Sequence, residues 1–370
     1  MSDQALLQQL VSTLTANGSL RTAPWKQAAA AVPRHEFLRG GFFRRVSGSP
    51  SAWAPILEDD PRWLDACYED ESLVTQIAGT IVPADICGEI MRSPTSSSTL
   101  PSLVLRMLEE LQVEDGMRVL EIGTGTGYST GVLCQRLGED CVTSVEYDED
   151  VAARAQTALG RLGLYPTLVT GDGLLGHVVK SPYDRVIATC GVRTVPQAWI
   201  EQTRPGGLIL ATVGGWLASS SLARLTVHDD GTASGPLLSG QVGFMLARPH
   251  LAPPLGLLPE LSAGKEREAV LGADVLNDWT ARFVVQDAVP YAQRLTLEQN
   301  RRHEHVLVDV DTGSWAAVYE EGDRWTVRQD GPVALWDAAE EALGRWHSAG
   351  RPPLEEFTLR VTPDGHACTW

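Results

Sequence analysis

Short apolar runs alternate with amphipathic stretches through the middle of the chain. Five of these runs have the composition and length of buried strands, and they lie at 119–122, 142–146, 166–173, 183–190 and, after a turn, 204–211. The stretch at 151–162 is rich in alanine and arginine and has helical spacing. Regular alternation of strand and helix predicts an α/β fold with a doubly wound, mostly parallel sheet.

The regions on either side follow other patterns and predict four segments in all. Residues 1–94 begin with a helix at 5–14 and are expected to form a mainly helical extension that carries substrate-side residues. The alternating region makes a domain at 95–247, and repeated prolines indicate a linker at 248–273. Residues 274–370 contain predicted strands at 306–310, 314–319, 325–328 and 357–362 and a helix at 335–347, which indicates a C-terminal α+β domain.

A turn with glycine at every second position follows the first predicted strand. Gly123, Gly125 and Gly127 permit backbone conformations closed to other residues, and the helix that follows begins with unpaired N–H groups. Such a turn at the carboxyl end of a parallel strand is where α/β sheets bind nucleotide-like ligands. The dinucleotide fingerprint requires glycine where Tyr128 stands, and a P-loop requires a lysine that is missing here. A glycine-rich turn without a ligand remains the alternative.

Acidic residues end three of the predicted strands. Glu121 closes the first strand, and Glu146 closes the second 25 positions later, where an acid can accept both hydroxyls of a ribose. Asp172 ends the third strand and can accept a hydrogen bond from an adenine amino group. The predicted ligand-binding residues are Glu121, Gly123, Thr124, Gly125, Gly127, Tyr128, Glu146, Tyr147, Gly171, Asp172, Gly173 and Thr189.

These motifs together resemble the protein-L-isoaspartate O-methyltransferase family. The resemblance rests on Val-Leu-Glu-Ile-Gly-Thr-Gly-Thr-Gly-Tyr at 119–128, Gly-Asp-Gly at 171–173, Tyr-Asp-Arg at 183–185, Arg-Pro-Gly-Gly at 204–207 and Val-Pro-Arg at 32–34. It implies a Rossmann-like class I methyltransferase fold, S-adenosylmethionine (AdoMet) as cofactor, and methylation of a peptide carboxylate.

The family also has a Ser-x-Pro motif at the start of the helix before the first strand of the sheet. In this chain Thr99 precedes Pro101 at that spacing, and its hydroxyl takes the place of the serine. Ser97 and Ser98 are further candidates for the same catalytic, substrate-contacting role. The alternative is that this hydroxyl cluster only caps the helix.

Composition narrows the set of partners. The chain has 370 residues and a net charge of −17, which argues against nucleic acid and anionic membranes as partners. The N-terminus lacks a secretory signal pattern and no apolar run is long enough to cross a membrane, so a cytoplasmic protein is expected. Six cysteines form no C-x-x-C pair, and His303 and His305 lack a third ligand, so no metal is expected. The oligomeric state is left open.

Two enzymatic functions follow from the resemblance. The long additions at both ends favour a tailoring enzyme, which methylates an aspartate in a macrocyclic ribosomal peptide (a graspetide or lanthipeptide) so that the ester closes to an aspartimide. The alternative is repair of isoaspartyl residues in damaged proteins. A non-catalytic binding module and a small-molecule methyltransferase are the other hypotheses considered. Six tryptophans lie after residue 273, and they serve either peptide recognition or an ordinary core.

Overall fold

The computed structural model describes residues 1–299 and 302–370. They divide into two compact units. The core unit comprises residues 1–190, 196–211 and 224–233, and the C-terminal unit comprises residues 191–195, 212–223 and 234–370. Four of the boundaries between the units fall within strands, so each of these four strands has residues in both units.

The core unit begins with helices and then forms an antiparallel sheet. Its first elements are α1 (Asp3–Ala16), α2 (Ala23–Ala30), β1 (Phe42–Val46), β2 (Ser49–Ile56), α3 (Trp63–Cys67), β3 (Leu73–Ile77) and β4 (Pro94–Ser98). Helix α1 buries Leu6, Leu7, Leu10 and Leu14, which recur with the spacing of one helix face. The four strands pair in the order β2-β1-β3-β4. The predicted helix at 5–14 is thus present, whereas this sheet in residues 42–98 was missed.

A doubly wound sheet makes up the rest of the core unit. Its elements are α4 (Pro101–Glu110), β5 (Val119–Ile122), α5 (Tyr128–Leu137), β6 (Val142–Glu146), α6 (Glu149–Arg161), β7 (Thr167–Thr170), β8 (Tyr183–Val192), α7 (Gln197–Glu201) and β9 (Thr203–Gly214). The strand order here is β9-β8-β5-β6-β7, with parallel pairing of β5 to β6, β5 to β8 and β6 to β7. All five predicted strands are present, and the α/β fold is confirmed.

The C-terminal unit has its own sheet. Its elements, of which β10 and β11 also include residues of the core unit, are β10 (Ser220–Val227), β11 (Ala233–Leu238), β12 (Lys265–Glu268), α8 (Trp279–Ala288), β13 (Gln293–Gln299), β14 (Arg302–Asp309), β15 (Ser314–Glu321), β16 (Arg324–Asp330), α9 (Leu335–Ser348), β17 (Thr358–Thr362) and β18 (Gly365–Thr369). Strands β12, β16, β15, β14 and β13 form an antiparallel sheet in that order. The predicted strands and helix of this region match β14 to β17 and α9.

Burial decides the role of several tryptophans in the C-terminal unit. Trp315, Trp336 and Trp346 are almost completely buried, so they are ordinary core residues. Trp370 alone of the six keeps more than a third of its surface exposed.

Among the described residues no helix has both the length and the apolar composition needed to cross a bilayer. In the same parts of the chain no group of three or more His, Cys, Asp or Glu side chains could hold a metal ion.

Candidate active site

The glycine turn, residues 123–127, joins β5 to α5 in left-handed backbone conformations. Gly123, Gly125 and Gly127 have φ values of +92°, +56° and +92°, where any other residue is strained. A Cβ on Gly123 would lie 2.9 Å from the Thr189 hydroxyl oxygen. Helix α5 begins at Tyr128 without a side-chain cap. The turn therefore presents N–H groups at a helix N-terminus, as its sequence predicted.

Glu121 lies in the protein interior next to the glycine turn. Both carboxylate oxygens accept hydrogen bonds from hydroxyls, with Ser129 at 2.5 Å, Thr130 at 2.5 Å and Ser144 at 2.7 Å. The residue has no exposed surface, and burial raises the pKa of its carboxyl group. A ligand cannot reach it. The prediction that Glu121 contacts the cofactor is therefore wrong, and its role is to fix the start of α5 relative to β6.

Glu146 lies directly beside the glycine turn. Its Oε2 accepts a hydrogen bond from the Gly125 N–H at 2.9 Å, and its Oε1 accepts one from the Asp148 N–H at 3.0 Å. Burial raises the pKa of this carboxyl group, although the residue is only partly buried as a whole. The neighbouring Tyr147 is 50% exposed. Glu146 thus stands where a diol beside the turn would find a carboxylate.

The third strand end is joined to the other two. The Gly171 N–H donates to the Glu146 carbonyl at 2.8 Å. A Cβ on Gly173 would lie 2.5 Å from Ile122 Cγ2, so only glycine lets this turn approach the end of β5. Asp172 Oδ1 accepts from the Leu174 N–H at 2.9 Å, whereas no group within residues 1–299 and 302–370 donates to its Oδ2. One oxygen of Asp172 is therefore available to a ligand.

Three of the predicted binding residues use their side chains for contacts within the protein. They are Thr189, Thr124 and Tyr128. The Thr189 hydroxyl donates to the carbonyls of Gly123 and Ile122, the latter at 3.1 Å. The Thr124 hydroxyl bonds Ser144 at 2.6 Å. The Tyr128 ring is buried, packs edge-on against Phe37, and burial raises its pKa to about 12. For Tyr128 the side chain is thus occupied within the protein, and the backbone N–H remains for a ligand contact.

The hydroxyl cluster lies at the end of β4, next to the glycine turn. The Ser97 carbonyl oxygen is 3.6 Å from the Cβ position of Gly125, and Ser97 and Thr99 are partly exposed. Ser98 is 2% exposed and its hydroxyl accepts from Arg34 Nε at 3.4 Å. The prediction of a substrate contact is therefore wrong for Ser98, which points into the protein.

The helix-capping alternative for this cluster is also wrong. Leu100 is the N-cap residue of α4 and provides no side-chain cap. The first N–H groups of this region are instead satisfied from residues before β3: Ser102 N–H donates to Asp70 Oδ1 at 2.8 Å and Leu100 N–H to Ser72 Oγ at 3.0 Å. The Thr99 hydroxyl is thus not used as a cap and stays available for a substrate.

Arg34, the arginine of the Val-Pro-Arg segment, organises this side of the site. It is completely buried, and its guanidinium donates to the carbonyls of Cys67, Glu69, Glu71, Ser98 and Thr99 at 2.8–3.3 Å. Burial lowers its pKa. Arg34 ties the loop before β3 to the end of β4 and so fixes the backbone that carries Thr99. An arginine within the otherwise apolar start of Val-Pro-Arg-His-Glu-Phe-Leu was the signal for this role.

Comparison with known proteins agrees with the geometry. The model of the family described as protein-L-isoaspartate(D-aspartate) O-methyltransferase matches residues 73–239. A protein-L-isoaspartate O-methyltransferase 2 of Rhodopseudomonas palustris is 31% identical over 228 residues, which are 61% of this chain and 98% of that protein. The corresponding enzyme of Thermotoga maritima is 40% identical over 120 residues, or 32% of this chain, and this chain spans only 38% of its length.

One solved structure extends the likeness to the whole fold. A protein-L-isoaspartate O-methyltransferase aligns over 98% of both chains with a TM-score of 0.57 and 24% sequence identity. At this level of identity the match concerns the fold alone. It shows that a fold with both units of this chain occurs in another protein.

Proposed function

Because the chain belongs to the protein-L-isoaspartate O-methyltransferase family, we propose that it transfers a methyl group from AdoMet to a carboxylate of an isoaspartyl-containing peptide or protein. One observation carries the proposal. The ends of three parallel strands are hydrogen-bonded or packed together around the glycine turn, and the end of β4 with its hydroxyls passes beside the same turn. A cofactor cradle and a substrate element therefore adjoin.

The residues present fit AdoMet. Glu146 would accept the ribose hydroxyls, Asp172 Oδ2 would accept the adenine amino group, and the N–H groups at the start of α5 would meet the methionine carboxylate. Thr189 and the buried Glu121 would hold the turn in place for this contact. Calorimetric titration with AdoMet tests the fit, and absence of binding would overturn it in favour of a non-catalytic module.

The reaction asks for positioning more than for acid–base chemistry. AdoMet supplies an electrophilic methyl carbon on a sulfonium. A carboxylate oxygen of the peptide forms the new O–C bond while the C–S bond breaks, and its electron pair leaves on sulfur. The carboxylate is already ionised at neutral pH, so no general base is needed. Correct placement of two reactants can lower a barrier by up to roughly 7–11 kcal/mol. The Thr99 hydroxyl, on backbone fixed by Arg34, is the donor we assign to orienting the carboxylate.

The methyl ester makes the next step spontaneous. The backbone amide nitrogen that follows the modified residue attacks the ester carbonyl carbon, methoxide leaves and is protonated to methanol, and a five-membered imide remains. Hydrolysis of that imide can restore an ordinary peptide bond. The protein needs only to make the ester, which explains why hydroxyl and N–H donors are sufficient.

A second candidate function is the methylation of ordinary aspartate in a macrocyclic ribosomal peptide, whose ester closes to an aspartimide. The observation in its favour is the segment between β3 and β4, residues 78–93, which packs on the β2-β1-β3-β4 sheet through Ile81, Ile86 and Ile90 and would give a dedicated peptide additional surface to contact. The C-terminal unit no longer favours this function by itself, since the same fold occurs in another chain that bears the isoaspartate methyltransferase name.

One assay separates the two functions. The protein is incubated with AdoMet and either a linear peptide with one isoaspartyl residue or a macrocyclic peptide with ordinary aspartate, and methyl ester formation is followed by mass spectrometry. We expect the linear isoaspartyl peptide to be methylated and its aspartyl counterpart to remain unchanged. Methylation of the macrocycle alone would replace the repair function by the tailoring function.

A further inference from the structure

A cleft of about 400 Å³ opens in the core unit next to the glycine turn. Gly125 and Thr126 belong to its lining, and helix α6 contributes residues from Val151 to Arg161. The segment 36–41 and residues 82–84 of the β3–β4 connection complete the walls. Glu146 and Asp172, which we assign to the cofactor, are absent from its described lining. The described lining of the cleft therefore meets the cofactor cradle at the glycine turn and extends from there along residues that we do not assign to the cofactor.

The lining of this cleft is basic in a protein that is strongly acidic. It contains three arginines, Arg39, Arg154 and Arg161, and one acid, Glu36, whereas the whole chain carries a net charge of −17. Arg39 and Arg161 both bond the Glu36 carboxylate, at 2.8 and 2.9 Å. These two ion pairs lower the pKa of Glu36 to about 2, so this carboxylate is charged at neutral pH and partly neutralises both arginines.

Arg154 is the uncommitted cation. It projects from α6 into the cleft with an exposed side chain, and no acidic partner is found for it within residues 1–299 and 302–370. Hydroxyls of Thr75, Ser96 and Thr157 and apolar groups of Phe37 and Val151 also line the space. An arginine with five free donors among hydroxyls and apolar walls is suited to a carboxylate on a short side chain.

We propose that this cleft binds acidic side chains that flank the methylated residue of the peptide substrate, with Arg154 as the specificity-determining contact. The inference rests on the proposed function and names its substrate class: peptides rich in glutamate or aspartate near the modified residue. Ser97, beside the turn, and the cleft lining at Gly125 are adjacent. A peptide spans about 3.3 Å per extended residue, so its next residues on one side reach the cleft.

An acidic peptide has to be recognised by nearby positive charges, because distant charges of the protein are screened by salt. At physiological salt, charges separated by more than about 8 Å are largely screened, so the overall negative charge neither attracts nor strongly repels a peptide in contact. Of the three arginines that line the cleft, Arg39 also pairs with Glu58 at 2.8 Å, so the surplus is one positive charge at neutral pH, and it lies on Arg154. This surplus selects acidic flanks at short range.

The test compares matched peptides and matched variants. The probes are linear peptides with one isoaspartyl residue and a short run of glutamates on its N-terminal or C-terminal side, and the same peptides with glutamine in place of glutamate. The proteins are wild type, Arg154→Gln and Gln156→Glu. The last substitution makes the same change in net charge at an exposed position of α6 outside the described cleft lining. Binding is measured by fluorescence anisotropy and methylation by kcat and KM.

Wild type should bind one of the glutamate peptides about tenfold more tightly than its glutamine counterpart, the range of one charge-assisted hydrogen bond. Arg154→Gln should remove this preference through KM with kcat unchanged, and Gln156→Glu should keep it. Equal binding of both peptides by wild type, or equal loss in both variants, would overturn the proposal. Failure of the proposed function has a different signature: glutamate-dependent binding with no ester formed on any peptide.

Discussion

Two parts of the core unit are built in different ways. We call the glycine turn with Glu146 and Asp172 the cofactor side, and the end of β4 with Thr99 and Arg34 the substrate side. On the cofactor side, strand ends that are parallel neighbours bring the glycine turn, Glu146 and Asp172 together through short contacts. On the substrate side, Arg34 collects carbonyls that lie 33 to 65 positions away in the chain. A motif therefore encodes the first side almost alone, whereas the second depends on tertiary contacts that no local pattern reveals.

The largest expected effect on stability follows from replacing Arg34, which donates to five carbonyls on the substrate side. Arg34→Met should lower the free energy of unfolding by about 3–5 kcal/mol, because five carbonyls lose a shared donor and the bonds to two of them, Cys67 and Ser98, are buried. Arg62→Met, at an arginine whose side chain is 72% exposed, should leave it nearly unchanged. Chemical denaturation of both variants measures the difference. Similar destabilisation by the two substitutions would contradict the role of Arg34.

Replacing Glu146, the proposed acceptor of the ribose hydroxyls, tests the cofactor side. Glu146→Ala should weaken AdoMet binding about a hundredfold, since a charged acceptor beside the turn is removed. Glu149→Ala, at the exposed start of α6, is the matched control and should bind normally. Calorimetry reports both. Unchanged affinity in Glu146→Ala would mean that the cofactor does not lie against this strand end.

The hydroxyl cluster allows a test on the substrate side that leaves the cofactor untouched. Thr99→Val should lower kcat/KM by about tenfold to a hundredfold through lost orientation of the carboxylate, with normal AdoMet affinity, and Thr99→Ser should restore activity. Ser98→Ala should cost about 1 kcal/mol of stability with little loss of activity. If Ser98→Ala were the more damaging to turnover, the two hydroxyls would have to exchange roles.

The smallest effect concerns pH. The folded pKa of Glu36 is lowered to about 2 by Arg39 and Arg161, below its unfolded value of about 4.3. Its stabilising contribution is therefore fully present above about pH 5 and is lost as pH falls toward 2. Because the group is partly solvated, about 1–2 kcal/mol is expected. Glu36→Gln should flatten the stability profile across this acid range, and an unchanged profile would show that these ion pairs contribute nothing.

How far the sequence could predict this molecule depends on the kind of contact. The five strands, the glycine turn and the positions of Glu146 and Asp172 followed from periodicity and spacing. Glu121 was misjudged because spacing cannot tell whether an acid at a strand end faces a ligand or the hydroxyls of Ser129, Thr130 and Ser144. The β2-β1-β3-β4 sheet was missed because three of its strands have only five residues each and β3 pairs with β1 across the intervening residues 47–72. Ser98 was misassigned since its orientation is set by Arg34, which lies 64 positions earlier.

The most direct test of the central claim is methyl transfer from AdoMet with a labelled methyl group to a linear isoaspartyl peptide. We expect wild type to place the label on the peptide in a base-labile ester. This labelling should be nearly abolished in Glu146→Ala at limiting AdoMet and strongly reduced in Thr99→Val. Label in a base-stable linkage, or a reaction that neither substitution affects, would contradict a carboxylate methyltransferase site at these strand ends.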